Sequence, residues 1–297
     1  TSAARVVALR SAWVRRPGAA VAAGRAGLES SMVSPMVPCM DGTGAADTTS
    51  GTERGTGRGA GQGVEAVIFD WGGTLTRWHD VDFHAESLAL AEAVRRTPTP
   101  DDDHHARAAR LHAAGGVVWG RSRDHQQSAT IEDLFTEAGL DHDPDLLTAY
   151  YEFWEPHTLT DPEVGPLWEW LRGQGIAVGV LSNTIWPRAW HRGFFERDGV
   201  LGLLDGDVYT SELPWTKPSP LAFVAAMEAV GASDASRCVY VGDRLFDDVW
   251  GAQQAGLRAV HVPHSTIPAE QVGHTEGVPD AVAHRLADVH AIVSGWR

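Results

Sequence analysis

VEAVIFDWGGTLT, residues 64–76, is where the chain changes character. A short apolar run rich in β-branched and aromatic residues ends in Asp70-Trp71-Gly72-Gly73. A run of this length, apolar on both faces and closed by turn residues, reads as a strand buried inside a parallel sheet that feeds a loop. The same signal returns at IAVGVLSN (176–183), DVYTS (207–211), RCVYVGD (237–243) and LRAVHV (257–262). Helical patterns separate these runs at residues 162–174, 220–231 and 247–256. Strands alternating with helices predict an α/β fold, a Rossmann-like, doubly wound parallel sheet.

Outward from this core the chain has two further parts. Residues 1–62 are rich in Gly, Ala, Ser, Thr and Arg and lack any core-forming period. They read as a disordered or mis-assigned N-terminal tail. Residues 80–160 carry helical patterns only: FHAESLALAEAVRR (83–96), a helix start at Thr99-Pro100 with Asp101–Asp103 in its first turn, TIEDLFTEAG (130–139) and PDLLTAYYEFW (144–154). An all-helical insertion directly after the first strand predicts a cap over that strand's carboxyl end. The expected organisation is therefore a tail (1–62), an α/β core (63–79 and 161–297) and a helical cap (80–160).

The chain has 297 residues and a net charge of −15, which argues against a nucleic-acid partner. A small phosphorylated ligand needs only a local positive group and stays open. No apolar run reaches the length of a membrane span. The two cysteines, Cys39 and Cys238, form no disulfide framework, and a reducing, cytoplasmic setting is expected. Lys217 is the sole lysine among the 24 Lys and Arg residues.

In open parallel sheets, ligands bind beyond the carboxyl ends of the strands. Four such ends here carry chemistry: Asp70 after the first strand, Ser182 on the second, Lys217 a short loop after the third, and Asp243 on the fourth. Two carboxylates, a hydroxyl and an ammonium converging on one crevice suit phosphoryl transfer. The hydroxyl and ammonium would bind phosphate oxygens. The carboxylates would hold Mg2+, a hard cation that prefers oxygen ligands.

VIFDWGGTLT, VLSNT, KPSP and VGDRLFDDVWGAQQAG, spread over residues 67–256, resemble in order the four motifs of the haloacid dehalogenase-like hydrolases. The helical insertion resembles the cap of the subgroup that places it after motif one. The resemblance implies a Mg2+-dependent phosphatase acting on a small phosphorylated metabolite. Asp70 would be the nucleophile that becomes an aspartyl-phosphate. Thr74 would organise its loop. Ser182, and Asn183 through backbone or side chain, would bind the phosphoryl group, and Lys217 would neutralise its charge. The metal would be held by Asp70, Asp243 and Asp248, with a main-chain carbonyl from Gly72; Asp248 would position a metal-bound water or Lys217. Asp247 reads as an acid in a helix's first turn.

Gly72 departs from the family pattern, which places an aspartate two residues after the nucleophile to protonate the leaving group and activate water. That help is worth ~10²–10⁴-fold. A cap residue such as His79, Asp80 or His84 would have to replace it, or the leaving group needs no acid, or the chain binds a ligand without useful catalysis. The family's Schiff-base route needs a cap lysine, which residues 80–160 lack. The run Asp101–Asp103 with His104 and His105 reads as a solvated helix start, not a metal site. Trp168 and Trp170 are expected to dock a core helix; for Trp78, Trp119 and Trp154, in the linker or cap, core packing is the first reading and lining the substrate cleft the alternative.

Overall fold

The computed structural model describes residues 63–78, 85, 88–89, 104–141, 144–264, 266–267 and 272–297. The readings of a tail over 1–62, of the helix over 83–96, of the helix start at Thr99–Asp103, and of His79, Asp80 and His84 lie outside the described residues.

The strands are β1 (Ala66–Phe69), β2 (Ala177–Ser182), β3 (Gly206–Tyr209), β4 (Cys238–Gly242), β5 (Arg258–His261) and β6 (Ala281–Val282). They form one sheet in the order β3-β2-β1-β4-β5-β6, and every pairing is parallel. The five runs read as strands are all present. β6, two residues long and not fully buried, is too short to leave a sequence signal.

β1 lies between β2 and β4 because both of its faces and both of its edges are buried. Successive side chains of a strand point to opposite faces. Ala66 and Ile68 join one core cluster with Phe223 and Tyr240, while Val67 and Phe69 join the other with Trp168 and Phe195. The facing helices follow from their spacing. α4 (Val164–Gly173) buries Val164, Leu167, Trp168 and Leu171, and α6 (Pro220–Ala229) buries Ala222, Phe223, Ala226 and Met227. Each large apolar side chain so buried contributes about 1.5–3 kcal/mol. Trp168 packs on Phe69 and Phe195 as expected, and Trp170 lies against His290. Cys238 is fully buried on β4, and burial pushes its thiol up to about 12, which disfavours the thiolate and fits a packing role.

Register places the site. Phe69 pairs with Val180 on one side and Val241 on the other. Asp70 therefore leaves the sheet beside Leu181–Ser182 and Gly242–Asp243.

Between β1 and α4 lie α1 (His104–His125), α2 (Ile131–Glu137) and α3 (Pro144–Trp154), the helical insertion. α2 opens on a capping box: the Asp133 amide donates to the Thr130 hydroxyl, and the Thr130 amide donates to the Asp133 carboxylate. α3 packs on α5 (Arg188–Arg197), a helix the sequence reading passed over. Tyr150 stacks on Trp190 and Tyr151 on Phe194, and Trp154 joins them through Trp186. Trp119 on α1 differs from expectation. It is 44% exposed, because it lies one position past Val118 and so about a quarter turn off the face that buries Leu111, Ala114 and Val118.

His191 on α5 is fully buried, stacked on Tyr209 with centroids 4.2 Å apart and edge-on to Trp71 at 4.5 Å. Burial lowers its pKa to about 3. The unfolded chain takes up a proton here below its ordinary pKa of about 6.5 and the folded chain does not, so stability is lost as pH falls from there toward the folded value. Between about pH 7.5 and about pH 5 this group should cost the fold about 2 kcal/mol. In urea titrations, His191→Phe should lose less stability over that interval than the parent chain by about that amount; an equal loss would refute the assignment.

Candidate active site at the carboxyl edge of the sheet

Lys217 is the centre of the site. Its side chain is 2% exposed, and its ammonium donates to Asp70 Oδ1 at 2.7 Å, Asp248 Oδ1 at 2.6 Å and Tyr240 Oη at 2.9 Å. Burial works against the ammonium, but the charges of Asp248 and Asp70 outweigh it and hold its pKa well above the ordinary value. The loop that carries it is gripped by Asn183. The Lys217 amide donates to Asn183 Oδ1 at 2.8 Å, and Asn183 Nδ2 donates back to the Lys217 carbonyl at 3.1 Å. Asn183 Oδ1 and one hydrogen of its Nδ2 are thus committed to Lys217, which leaves the second Nδ2 hydrogen and the backbone for the expected phosphoryl contact.

Asp70 follows β1, with its amide bonded to the Val241 carbonyl at 2.8 Å. Burial raises its carboxyl to about 6; Asp248 adds to the rise and Lys217 opposes it. The Thr74 hydroxyl reaches toward Asp70 Oδ2 at 3.5 Å, from within the same turn. Ser182 ends β2 and is buried.

Asp243 and Asp248 arrive from β4 and the segment after it. That segment, Leu245–Trp250, is a wide π-type turn in which the Val249 amide reaches the Arg244 carbonyl. Such turns are rare and concentrate at functional sites. The turn brings Asp248 back against β4, so closely that a Cβ on Gly242 would run into its carboxylate. Glycine is required there by contact, not by backbone angle. Asp248 accepts from Lys217 with one oxygen and from the Arg244 amide, at 2.8 Å, with the other. Asp247, beside it, is drawn up to about 6 by burial and by Asp248.

Asp243 is held differently. Trp78 Nε1 donates to its Oδ2 at 2.8 Å, while Oδ1 is buried and has no hydrogen-bond partner. Burial, and the charges of Asp70 and Asp248, push its pKa well up. Trp78 is therefore a site residue and not a core tryptophan, and Arg244 lies over its ring at 5.7 Å. Two histidines close the underside: His261 Nε2 donates to the Asp243 carbonyl at 2.9 Å, and His264 Nε2 to the Gly73 carbonyl at 3.0 Å. A carbonyl only accepts, so these ring nitrogens carry protons.

Asp70, Asp243 and Asp248 place one oxygen each within 4.8 Å of one another. An orphaned buried carboxylate oxygen, crowded by two further acids, fits a hard cation with oxygen ligands. At position 72 a Cβ would meet only Trp78 Cζ2, at 3.9 Å, so the missing side chain reflects no lack of space.

Of the residues expected from sequence, Asp70, Ser182, Asn183, Lys217, Asp243 and Asp248 come together, with Gly72 and Thr74 in the adjoining loop. Tyr240, His261, His264 and Gly242 were missed, and Trp78 takes the second of its two readings, beside the site. Tyr240 had one available signal: it is the polar-tipped residue in an otherwise apolar strand, CVYVG.

Residues 64–256 match the haloacid dehalogenase-like hydrolase family. Glyceraldehyde 3-phosphate phosphatase of Methanopyrus kandleri is 27% identical over 164 residues, which cover 54% of this chain and 69% of that protein. Phosphonoacetaldehyde hydrolase of Bordetella pertussis is 28% identical over 191 residues, covering 61% of this chain and 66% of that one. The crystal structure of a HAD phosphatase from Thermococcus onnurineus superimposes with a TM-score of 0.55 at 24% identity, over 78% of this chain and 99% of that one. Among the described residues no helix is long and apolar enough to cross a membrane. The family match spans the strands that carry Asp70, Ser182 and Asp243, the loop that carries Lys217 and the whole helical insertion, and on that ground the chain belongs to the haloacid dehalogenase-like hydrolases.

Proposed function

We propose that this chain hydrolyses a small phosphate monoester, with a divalent cation such as Mg2+, through an aspartyl-phosphate on Asp70. The observation that carries this reading is the buried Lys217 ammonium bonded to both Asp70 and Asp248, next to an Asp243 oxygen without a partner. The names of the relatives favour a small phosphorylated metabolite. A Schiff-base route like that of a phosphonate hydrolase lacks its lysine, since Lys217 is the only one in the chain.

In the first step a carboxylate oxygen of Asp70 bonds to phosphorus as the ester P–O bond breaks, and the leaving oxygen keeps the electron pair. Water then releases inorganic phosphate and restores the carboxylate. Ser182, and Asn183 through backbone or side chain, would hold the phosphoryl oxygens, and Lys217 would balance their charge. The cation would be held by Asp70, Asp243 and the Gly72 carbonyl, with Asp248, which accepts from Lys217 and from the Arg244 amide, completing the acidic cluster. When bound, it supplies further neutralisation of the phosphoryl charge.

Gly72 has no proton to give the leaving oxygen. Leaving groups that depart readily as anions should therefore react best. Phosphate release with Mg2+ should be faster from p-nitrophenyl phosphate than from a simple alkyl phosphate, and Asp70→Asn should abolish both. Gly72→Asp should raise alkyl-ester turnover by ~10²-fold or more. A parent chain inactive on every ester, beside an active Gly72→Asp, would instead favour a ligand-binding protein that keeps the fold and the metal site.

The neighbouring glycine should behave in the opposite way. Gly73 has φ +86°, and a Cβ there would collide with Asp243 Oδ2 and Trp78 Nε1. Gly73→Ala should cost about 1–3 kcal/mol in thermal unfolding. Gly72→Ala should stay within about 0.5 kcal/mol. Equal effects at the two positions would contradict this geometry.

A further inference from the structure

An ammonium has three hydrogens and accepts nothing. In this site two of the Lys217 hydrogens go to carboxylates and the third goes to the Tyr240 hydroxyl, at 2.9 Å. A phenol has one proton, and that of Tyr240 is held by the Leu181 carbonyl at 2.8 Å, which can only accept. Its lone pair therefore faces Nζ. The ring is fully buried on β4 and is fixed edge-on by Phe223, with centroids 4.9 Å apart. Burying a phenol in an aliphatic strand is unfavourable unless its oxygen is bonded. Phenylalanine would fill the same space without that requirement, so packing alone does not account for tyrosine here.

We propose that Tyr240 is a positioning residue for Lys217: its hydroxyl, locked by the Leu181 carbonyl, is the third acceptor that aims the ammonium between Asp70 and Asp248. The same oxygen ties together three parts of the site. Leu181 immediately precedes Ser182, Lys217 lies on the loop after β3, and Tyr240 is three residues before Asp243 on β4. Without the hydroxyl, a buried N–H and a buried carbonyl both lose their partner, and the flexible lysine stem has no third point to fix its direction. The catalytic consequence rests on the phosphatase reading; the positioning itself does not.

The sequence provides a direct probe, because Lys217 is the only lysine. Full-length protein grown on 15Nζ-lysine gives a single ammonium resonance. In the parent chain this signal should exchange its protons slowly with water, since all three are bonded and buried. Tyr240→Phe should shift it and speed exchange by about tenfold or more. Tyr209→Phe, which removes the hydroxyl of another buried tyrosine, should leave it in place. On p-nitrophenyl phosphate, Tyr240→Phe should lower kcat by ~10–100-fold with little change in KM. Added to Lys217→Met it should have almost no further effect, because the hydroxyl acts through the ammonium. A rapidly exchanging parent signal, an unmoved signal in Tyr240→Phe, an equal shift in Tyr209→Phe or additive kinetics would each overturn the proposal. A shifted signal in a protein that releases no phosphate would leave the positioning intact and remove the phosphatase reading instead.

Discussion

The buried contact of Lys217 with Asp70 and Asp248 sets the terms for the rest of the site. A charge removed from water costs several kcal/mol unless its partners and hydrogen bonds are all in place. Here the ammonium is 2% exposed and all three hydrogens have acceptors. That arrangement requires β1, β4 and the loop after β3 to end at the same level, which the parallel register around β1 achieves. It also accounts for the grip of Asn183 on the Lys217 backbone, since a flexible loop would not hold a buried charge in one direction.

The site remains acid-rich around this one cation. Three carboxylates converge where the Lys217 ammonium, with Arg244 near Asp243, balances part of their charge, and burial together with neighbouring acids raises the pKa values of Asp70 and Asp243. Such a cluster suits a divalent cation as a further source of positive charge. In a chain of net charge −15, attraction for an anionic ester has to be local. The close approaches around Gly73 and Gly242 keep that local field compact by letting Asp243 and Asp248 lie directly against the backbone.

Aromatic packing supports this arrangement from the other side. Trp71, the residue after Asp70, is buried against His191, Trp186 and Phe194, and the same cluster receives Tyr150, Tyr151 and Trp154 from α3. The loop that positions Asp70 and the helices inserted after it thus share one hydrophobic core, so a repacking of either is felt by the other.

Much of this was legible in the amino-acid sequence. Asp70, Ser182, Lys217 and Asp243 could be found because local signals mark them: each sits at or just after the end of an apolar, β-branched run, and backbone preference plus burial are enough to turn such runs into parallel strands. The helical insertion was legible in α2 and α3 for the same reason, since period and capping residues act over a few positions. β6 and α5 were not read, the first because two residues carry no period and the second because its apolar face, Trp190, Phe194 and Phe195, is short and set among arginines. Only the tertiary structure decided who partners whom. That Tyr240 completes the ammonium, that Trp78 donates to Asp243, that the Asn183 side chain holds Lys217 and that Gly242 makes way for Asp248 all depend on atoms brought together from distant parts of the chain. Hydrogen bonds and close packing act over a few ångströms in space, and no local pattern in the sequence encodes that proximity.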